Sequence, residues 1–526
     1  MTKLTRAAIL LALFFALDKV FGIVRQVIIA RQFGLTSPLD AFNVANNIPD
    51  LLFVLFSSGA LAMALIPVLA EVLSSENRDA VWGVFSRIVN LVFIVTASLA
   101  ILVGIFAVPL VKFVISPGFS PELQAQVVEI MRLDLIATLI FSVSGMVIAG
   151  LQSFKHFLFP AMAPIFYNLG QIFGAVILAP STGYTIGPVT LPAFGLGIYG
   201  LVYGVILGAL MHLGIQIPGL MIYKFKWSPG FGFKDSRVIQ ILRLMGPRLV
   251  TVFFIQLTFI ARDNLASHFS TGAVSALTYG WMIQQVPETL LGTAIATALL
   301  PTISELVSRS EWLNFEILIK KAVRVLIALA IPVAVILSLG LSPLVRTVFG
   351  FNAADTSLLM WVTRGFLVGL LGHCLMEIAS RSFYARLDAI TPMIFAGLNG
   401  ALYIAFGYMF SRVLGVMGIS LGDSLSFTIE ATLLLMVLTW RLFFRNKEKT
   451  TLANRWKEIL HLDMQGMSTI VRSLLAGAVS AGVVLLVIRA FLVPLGGLAA
   501  SLLAMVLGFF AALPFIWKEC RSFLRL

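Results

Sequence analysis

Cysteine is nearly absent from this chain: Cys374 and Cys520 are the only two among 526 residues. They fit no C-x-x-C or zinc spacing, which excludes a disulfide framework, a redox pair and a structural zinc site. Charge is scarce as well. Only 12% of residues are charged, about half the share of a soluble domain. Acidic residues are the scarcer sign, 24 against 37 basic, for a formal net charge of +13. The five histidines (156, 212, 268, 373 and 461) make no H-x-x-x-H pair and no His/Cys cluster. No G-x-x-x-x-G-K-[ST] phosphate loop occurs, so the chain cannot hydrolyse ATP itself. No nucleophile–base pair stands in a soluble segment, and the chain reads as neither an enzyme nor a holder of a cofactor or metal.

What is there is apolar. Hydrophobic residues make up 59% of the chain, mean hydropathy is +1.00, and stretches of membrane-spanning length recur from end to end. Lipid leaves no water for open sheet edges, so these stretches are expected as helices. Fourteen spans are expected, at 7–30, 41–73, 84–110, 123–150, 158–179, 195–222, 238–262, 273–300, 316–342, 356–383, 390–411, 416–442, 470–490 and 495–517. The fold class is then an all-α polytopic membrane protein. The opening Lys3, Arg6 and Ala7–Leu17 look like the start of a signal peptide. No small-x-small site follows, however, and the run continues through Asp18 and Lys19, so it reads as a retained first helix.

The loops after even-numbered spans, with the two termini, hold 25 Lys and Arg residues. The opposite loops hold 6: Arg31, Lys112, Arg262, Arg346, Arg412 and Arg489. The positive-inside rule therefore places both termini in the cytoplasm. Topology accounts for the positive charge, and nucleic acid falls away as a partner. Span 41–73 is too long for one plain helix and holds Pro49, Ser57-Ser58-Gly59 and Pro67, so a kink is expected. In the basic stretch 445–467, Leu452, Trp456, Ile459 and Leu460 share one face, as in a helix lying along the interface.

The chain also repeats itself. Phe42, Pro49 and Pro67-x-x-x-Glu71 are echoed by Tyr279, Pro287 and Pro301-x-x-x-Glu305. Ser153-Phe154, Pro164 and Asn168 are echoed by Ser382-Phe383, Pro392 and Asn399. Six spans separate the copies, so both enter the membrane the same way round, as in two-lobed transporters. The expected domains are an N-lobe over 1–222, a C-lobe over 223–444, and an appended 445–526 with the interfacial helix and the last two spans.

Charges inside spans carry the functional argument. Asp18, Lys19, Arg25, Arg132, Asp134, Arg248, Arg364, Glu377 and Arg381 each cost at least ~3 kcal/mol at bilayer depth unless they face a polar interior or water. So many buried charges point to a hydrophilic path and to transport. Asp18, Gly22 and Arg25 share one face of the first span, with Lys19 a quarter-turn away. They read as a cationic wall for an anionic head group, Gly22 letting another element approach, or as a structural ion pair. Asp40 is a helix N-cap or a substrate contact. Asp50 either pairs with Arg25 or Lys19 or faces a solvated cavity. Arg248 and Arg364 are further candidates for such a cavity. Glu377 and Arg381, at i and i+4, suit an intrahelical pair. Asp263 beside Arg262 reads as an interfacial pair or, more weakly, as a cation-coupling site. His373 reads as a satisfied interior histidine. Energy would come from an ion gradient or the membrane potential, worth ~2.3 kcal/mol per charge per 100 mV.

The segments Lys19-Val-Phe-Gly-Ile-Val-Arg25, Ala30-Arg31-Gln-Phe-Gly34, Asp40-Ala-Phe-Asn-Val-Ala-Asn-Asn-Ile-Pro49-Asp-Leu-Leu and Ile66-Pro67-Val-Leu-Ala-Glu71 resemble the N-terminal signature of the MurJ (MviN) family. Arg243-Leu-Met-Gly-Pro247, Leu300-Pro301 and Ser382-Phe-Tyr-Ala-Arg386 agree with it. Members are lipid II flippases of peptidoglycan synthesis, within the superfamily of multidrug, oligosaccharide-lipid and polysaccharide exporters. The resemblance implies a bacterial inner-membrane protein whose two lobes alternate around a cationic cavity. Its partners would be a lipid-linked oligosaccharide, membrane lipids and cell-wall synthesis enzymes. Arg25 matches a family cavity arginine, Lys19 stands where the motif begins with arginine, and Asp40 matches the aspartate of D-A-F. The chain departs at Gln26, at Phe53-Val54 in place of an arginine pair, and at Gly280-Trp281 in place of Asp-Arg. These departures leave open a flippase for another polyprenyl-diphosphate glycan or amphipathic substrate, and a non-transporting scaffold for cell-wall enzymes.

Overall fold

The computed structural model describes residues 3–57, 59–445 and 464–523, with the side chains of 3–12, 56–57, 59–64, 186, 244–248, 251, 443–445, 464–465 and 522–523 outside the description. Most of the expected interfacial helix at 445–467 therefore lies outside the described residues. The rest is almost wholly helical. The first compact unit, Met1–Gly272, contains α1 Lys3–Phe33, α2 Ser37–Ala45, α3 Asn47–Ser57, α4 Gly59–Ser75, α5 Arg78–Ile105, α6 Ala107–Leu110, α7 Pro121–Ser153, α8 Leu158–Phe173, α9 Ile198–Gly214, α10 Ile217–Ile222 and α11 Ser236–Ala266. A hairpin of two-residue strands, Thr185–Ile186 and Val189–Thr190, lies between α8 and α9. The second unit, Ala273–Leu526, contains α12 Ala273–Glu288, α13 Ala294–Ser308, α14 Trp312–Phe349, α15 Ala353–Val368, α16 Leu370–Tyr384, α17 Ile390–Leu414, α18 Val416–Arg445 and α19 Met464–Phe523.

Among the described residues, nine helical runs are long and apolar enough to cross a membrane, or ten with α15 and α16, bent by 42° about Gly369, taken as one. The expected fourteen adds α1, the α2–α4 run and α11, and counts separately the two halves of α19, which breaks at Gly496 (φ 76°, ψ 166°). Polar residues set the helix starts where the apolar runs begin. Asn77 accepts the Ala80 N–H at 2.9 Å, and Ser120 accepts the Leu123 N–H at 3.3 Å ahead of Pro121. Asn352 accepts the Asp355 N–H at 2.8 Å. Each satisfies a backbone donor that the first turn would leave bare. The expected kink in span 41–73 shows as an interruption at Asn46, while Pro67 sits inside α4 and Ser58 lies outside the described residues. Pro49 is in the first turn of α3, where a missing N–H costs little.

The units divide at Gly272 rather than at 222/223, because α11 packs against α3, α4 and α5 of the first unit. The core there is aromatic: Trp82 meets Phe85 and Phe225 edge-on at 5.3 and 5.1 Å. Its indole N–H donates to the Tyr223 carbonyl at 3.0 Å, so the ring is buried without an orphan donor. α8 and α9 approach through glycines at every fourth position. A Cβ on Gly204 would lie 2.8 Å from the Gly174 Cα, and one on Gly170 would lie 2.3 Å from the Gly208 Cα. Small residues at this spacing let helix backbones meet where no hydrophobic effect drives them together. Gly204→Leu is therefore expected to lower the midpoint of thermal unfolding in detergent, by an overpacking cost of about 1–3 kcal/mol. An unchanged midpoint would show that α9 can slide away at no cost.

In the second unit α14 packs along α19, and α18 receives α15 and α16 through another small-residue seam. A Cβ on Gly369 would be 2.5 Å from the Ser424 Cα. The Ser424 hydroxyl donates to the Gly365 carbonyl at 2.6 Å, joining α18 to α15.

Candidate functional site

The charges of α1 meet polar groups of α8 and α3 within the first unit. Asp18 accepts a hydrogen bond from the Asn168 amide of α8 at 2.9 Å. Lys19 is exposed. One turn beyond Gly22, the Arg25 guanidinium lies 5.8 Å from the centroid of the Tyr167 ring, a distance at which the ring face attracts a cation. The Arg25 Nε is buried with no hydrogen-bond partner among the described residues. Tyr167 is held from the other side by the Gln171 amide, which donates to its hydroxyl. Gly22 does not admit a neighbour: a Cβ there would meet nothing within 4 Å. The expected close approach at Gly22 is absent among the described residues, and the small residue leaves space instead.

Asp50, in the first turn of α3, is exposed to solvent and lies within electrostatic range of Arg25. Asp134 of α7 stands beside Asp50. It is 1% exposed, and neither carboxylate oxygen has a hydrogen-bond partner among the described residues. Phe53, at the departure from the family's arginine pair, packs edge-on to Phe141 at 5.1 Å. Phe141 meets Tyr167 edge-on, also at 5.1 Å. Phe53, Phe141 and Tyr167 thus form an aromatic ladder that ends at Arg25.

The other candidates are employed elsewhere. Asp40 is not an N-cap, since Thr36 holds that position. It is 2% exposed, and its carboxylate accepts the Gly272 N–H at 2.6 Å, where Gly272 has a φ of +87°. Its carboxylate pins the end of the chain segment after α11. Asp263 is 0% exposed and satisfied on both oxygens. It accepts from the Arg262 Nε at 2.7 Å and from the Asn47 amide at 2.9 Å. It is a hub joining α11 to α3 within the helices, not a pair on a loop. The Arg248 side chain lies outside the described ones. Arg364 belongs to the second unit, where its Nε donates to the Ser338 carbonyl at 3.0 Å and its guanidinium lies 5.4 Å from the Trp361 ring centroid.

The second unit holds a buried polar group of its own. His373 Nε2 meets the Asp423 carboxylate at 3.0 Å, and its ring stacks on Phe427 at 4.0 Å. Glu288 lies in electrostatic range of His373, Glu377 and Asp423. Glu377 pairs with Arg381 at 2.9 Å, and Arg381 also donates to the Thr297 hydroxyl at 2.9 Å. Asn399 donates to Glu430 at 2.8 Å. The repeated asparagines thus do one job twice: Asn168 and Asn399 each tie down a carboxylate on a neighbouring helix. Glu288, Asp423 and Glu430 carry no assignment from the sequence. Asp423 and Glu430, seven residues apart on one face of α18, are the signal that would have found two of them. Among the described residues no group of three or more His, Cys, Asp or Glu is arranged to hold a metal ion.

Comparison with known proteins agrees with this architecture. The family model described as lipid II flippase MurJ matches residues 29–507. The lipid II flippase MurJ of Burkholderia cenocepacia is 30% identical over 450 residues, 84% of this chain and 84% of that protein. The probable lipid II flippase MurJ of Vibrio cholerae is 26% identical over 499 residues, 92% of this chain and 89% of that one. A solved structure titled lipid II flippase MurJ, inward closed conformation, aligns at TM-score 0.73 and 19% identity, over 98% of this chain and 100% of that chain. An inward-facing multidrug resistance transporter of the MATE family aligns at 0.67 and 15%, over 82% and 96%. At these identities the two structures attest the fold alone.

Proposed function

This chain belongs to the lipid II flippase MurJ family, and from that membership we propose that it moves lipid II from the cytoplasmic to the outer leaflet of the bacterial inner membrane by alternating access. The observation that carries the reading is the polar cluster of the first unit, where Arg25 stands over Tyr167 with a buried nitrogen unsatisfied among the described residues and a solvent-exposed Asp50 nearby. A diphosphate is the natural occupant for such a cation. Its oxygens accept two parallel N–H bonds from a guanidinium, which an ammonium cannot supply in that geometry. The aromatic ladder through Phe53, Phe141 and Tyr167 offers flat apolar walls beside the cation, suited to the faces of sugar rings. Lys19, exposed on the same helix, adds positive charge along the approach, and Asp50 and Asp18 keep the wall from binding the anion irreversibly.

Drive by an ion gradient or the membrane potential, and recruitment of cell-wall enzymes, belong to the same proposal. So does the orientation, both termini in the cytoplasm, which rests on the basic-loop asymmetry. Expression in cells depleted of their own flippase tests the function: the chain is expected to restore growth, and failure despite normal membrane levels would refute it. Orientation has its own check. In a cysteine-free background, Arg412→Cys should react with an impermeant maleimide in intact cells and Lys234→Cys only after permeabilisation; the reverse pattern would invert the topology.

Phe53 favours one narrower alternative. With aromatic rings where an arginine pair is expected, this cluster also suits a polyprenyl-diphosphate glycan whose sugar contacts outweigh its charge contacts.

A further inference from the structure

His212 of α9 is buried inside the first unit. An ionisable side chain within a span is costly, and a leucine would fill the same space. We propose that His212 is a positioning residue for head-group recognition: it fixes the aromatic ladder against which the sugar of the substrate lies, while Arg25 takes the diphosphate. This assignment rests on the lipid II reading and extends it, since it makes a sugar-bearing polyprenyl diphosphate the preferred substrate over the bare diphosphate.

The imidazole is clamped on one side. Its Nδ1 lies 2.7 Å from the Ser144 hydroxyl oxygen of α7. The Gln216 amide, four residues beyond His212, donates to that same oxygen at 2.7 Å and to the His212 carbonyl at 2.8 Å. Because the Ser144 oxygen accepts from Gln216, its own hydrogen is available to the imidazole nitrogen. All three side chains are buried. A polar network satisfied in so low a dielectric holds its members in one arrangement.

The ring held in this way meets the ladder. Phe141 and Ser144 stand three residues apart on α7 and so share one face, and His212 touches both. Its ring centroid lies 5.3 Å from that of Phe141 at an interplanar angle of 72°, an edge-to-face pair. Phe141 meets Phe53 and Tyr167 at 66° and 81°, and Tyr167 lies against Arg25. The row therefore takes one ring from each of α9, α7, α3 and α8, and only His212 is fixed by hydrogen bonds to α7. Phe141 is 9% exposed and acts through its neighbours, while Phe53 and Tyr167 are half-buried and keep surface open. One face of a sugar ring is made of C–H groups, which the electron-rich face of an aromatic ring attracts. That contact depends on the tilt of the rings, and the charge contact at Arg25 does not.

The test measures binding by the full-length protein in nanodiscs of lipid II, of the same lipid without its peptide, and of polyprenyl diphosphate without sugar. Wild type should hold the two sugar-bearing lipids more tightly than the bare one. His212→Leu should weaken both sugar-bearing lipids by about threefold to tenfold, the worth of one edge-to-face contact, and leave the bare diphosphate unchanged. Arg25→Ala should weaken all three. Ser144→Ala, which keeps the ring and removes its clamp, should act in the same direction as His212→Leu, and His212→Phe should recover part of the loss. Fluorine NMR with 4-fluorophenylalanine in place of Phe141 reads the positioning without any lipid: its line should shift or broaden in His212→Leu. An unmoved line, or an equal loss for all three lipids together with a lowered unfolding midpoint, would overturn the proposal and leave the flippase reading standing. A loss confined to lipid II would assign the wall to the peptide and overturn the sugar assignment. A wild-type chain that binds none of the three would refute the flippase reading and this one with it.

Discussion

Arg25→Ala is expected to abolish rescue of flippase-depleted cells while the protein stays at normal levels in the membrane. A hydrogen bond to a charged group is worth about 1.5–3 kcal/mol, and a guanidinium gripping a diphosphate makes two. Losing both lowers head-group capture by two orders of magnitude or more on that scale. The scaffold should tolerate the change. Arg25 reaches no carboxylate at ion-pair distance among the described residues, and its contact with the Tyr167 face is worth only about 0.5–1 kcal/mol. Arg25→Lys keeps the charge but not the fork, so it should rescue partly. Full rescue by Arg25→Ala, with wild-type protein levels, would remove the residue from substrate binding.

Asp263→Ala should fail for the opposite reason, by unfolding the first unit. Its two oxygens receive the Arg262 Nε and the Asn47 amide in a fully buried setting. Removing the carboxylate takes the ion-pair partner at 2.7 Å from a guanidinium that is 8% exposed. Breaking a buried pair in this way costs about 3–5 kcal/mol, because the remaining charge cannot be rehydrated. The expected readouts are low membrane levels and a markedly lowered unfolding midpoint, with Asp263→Asn intermediate since it keeps one acceptor. Normal stability with selective loss of ion dependence would instead make Asp263 a coupling residue.

The contrast between these two residues shows what the sequence could and could not tell. Membrane helices announce themselves, because lipid demands long apolar runs and internal backbone hydrogen bonding. The bend in span 41–73, the break between the last two spans and the polar face of α1 followed from the positions of proline, glycine and charge. Partnership did not follow. Asp40, Asp263 and Asp50 look alike as intramembrane carboxylates, yet the first two are bonded within the fold and Asp50 is exposed to solvent. That difference is set by residues distant in sequence: Gly272 for Asp40 and Asn47 for Asp263. Gly22 looked like a contact point, but a helical glycine marks close approach only when a second backbone is there, as at Gly170 and Gly204. The placement of α11 with the first unit likewise depends on its packing against α3, α4 and α5, which no local pattern reveals.

The most direct measurement is the amount of lipid II exposed on the outer leaflet of depleted cells, read by an enzyme or dye that cannot cross the membrane. Cells expressing this chain should regain outer-leaflet lipid II, and cells expressing Arg25→Ala at equal levels should accumulate it inside. Outer-leaflet lipid II that stays low with the wild-type chain, or returns equally with Arg25→Ala, would contradict the account.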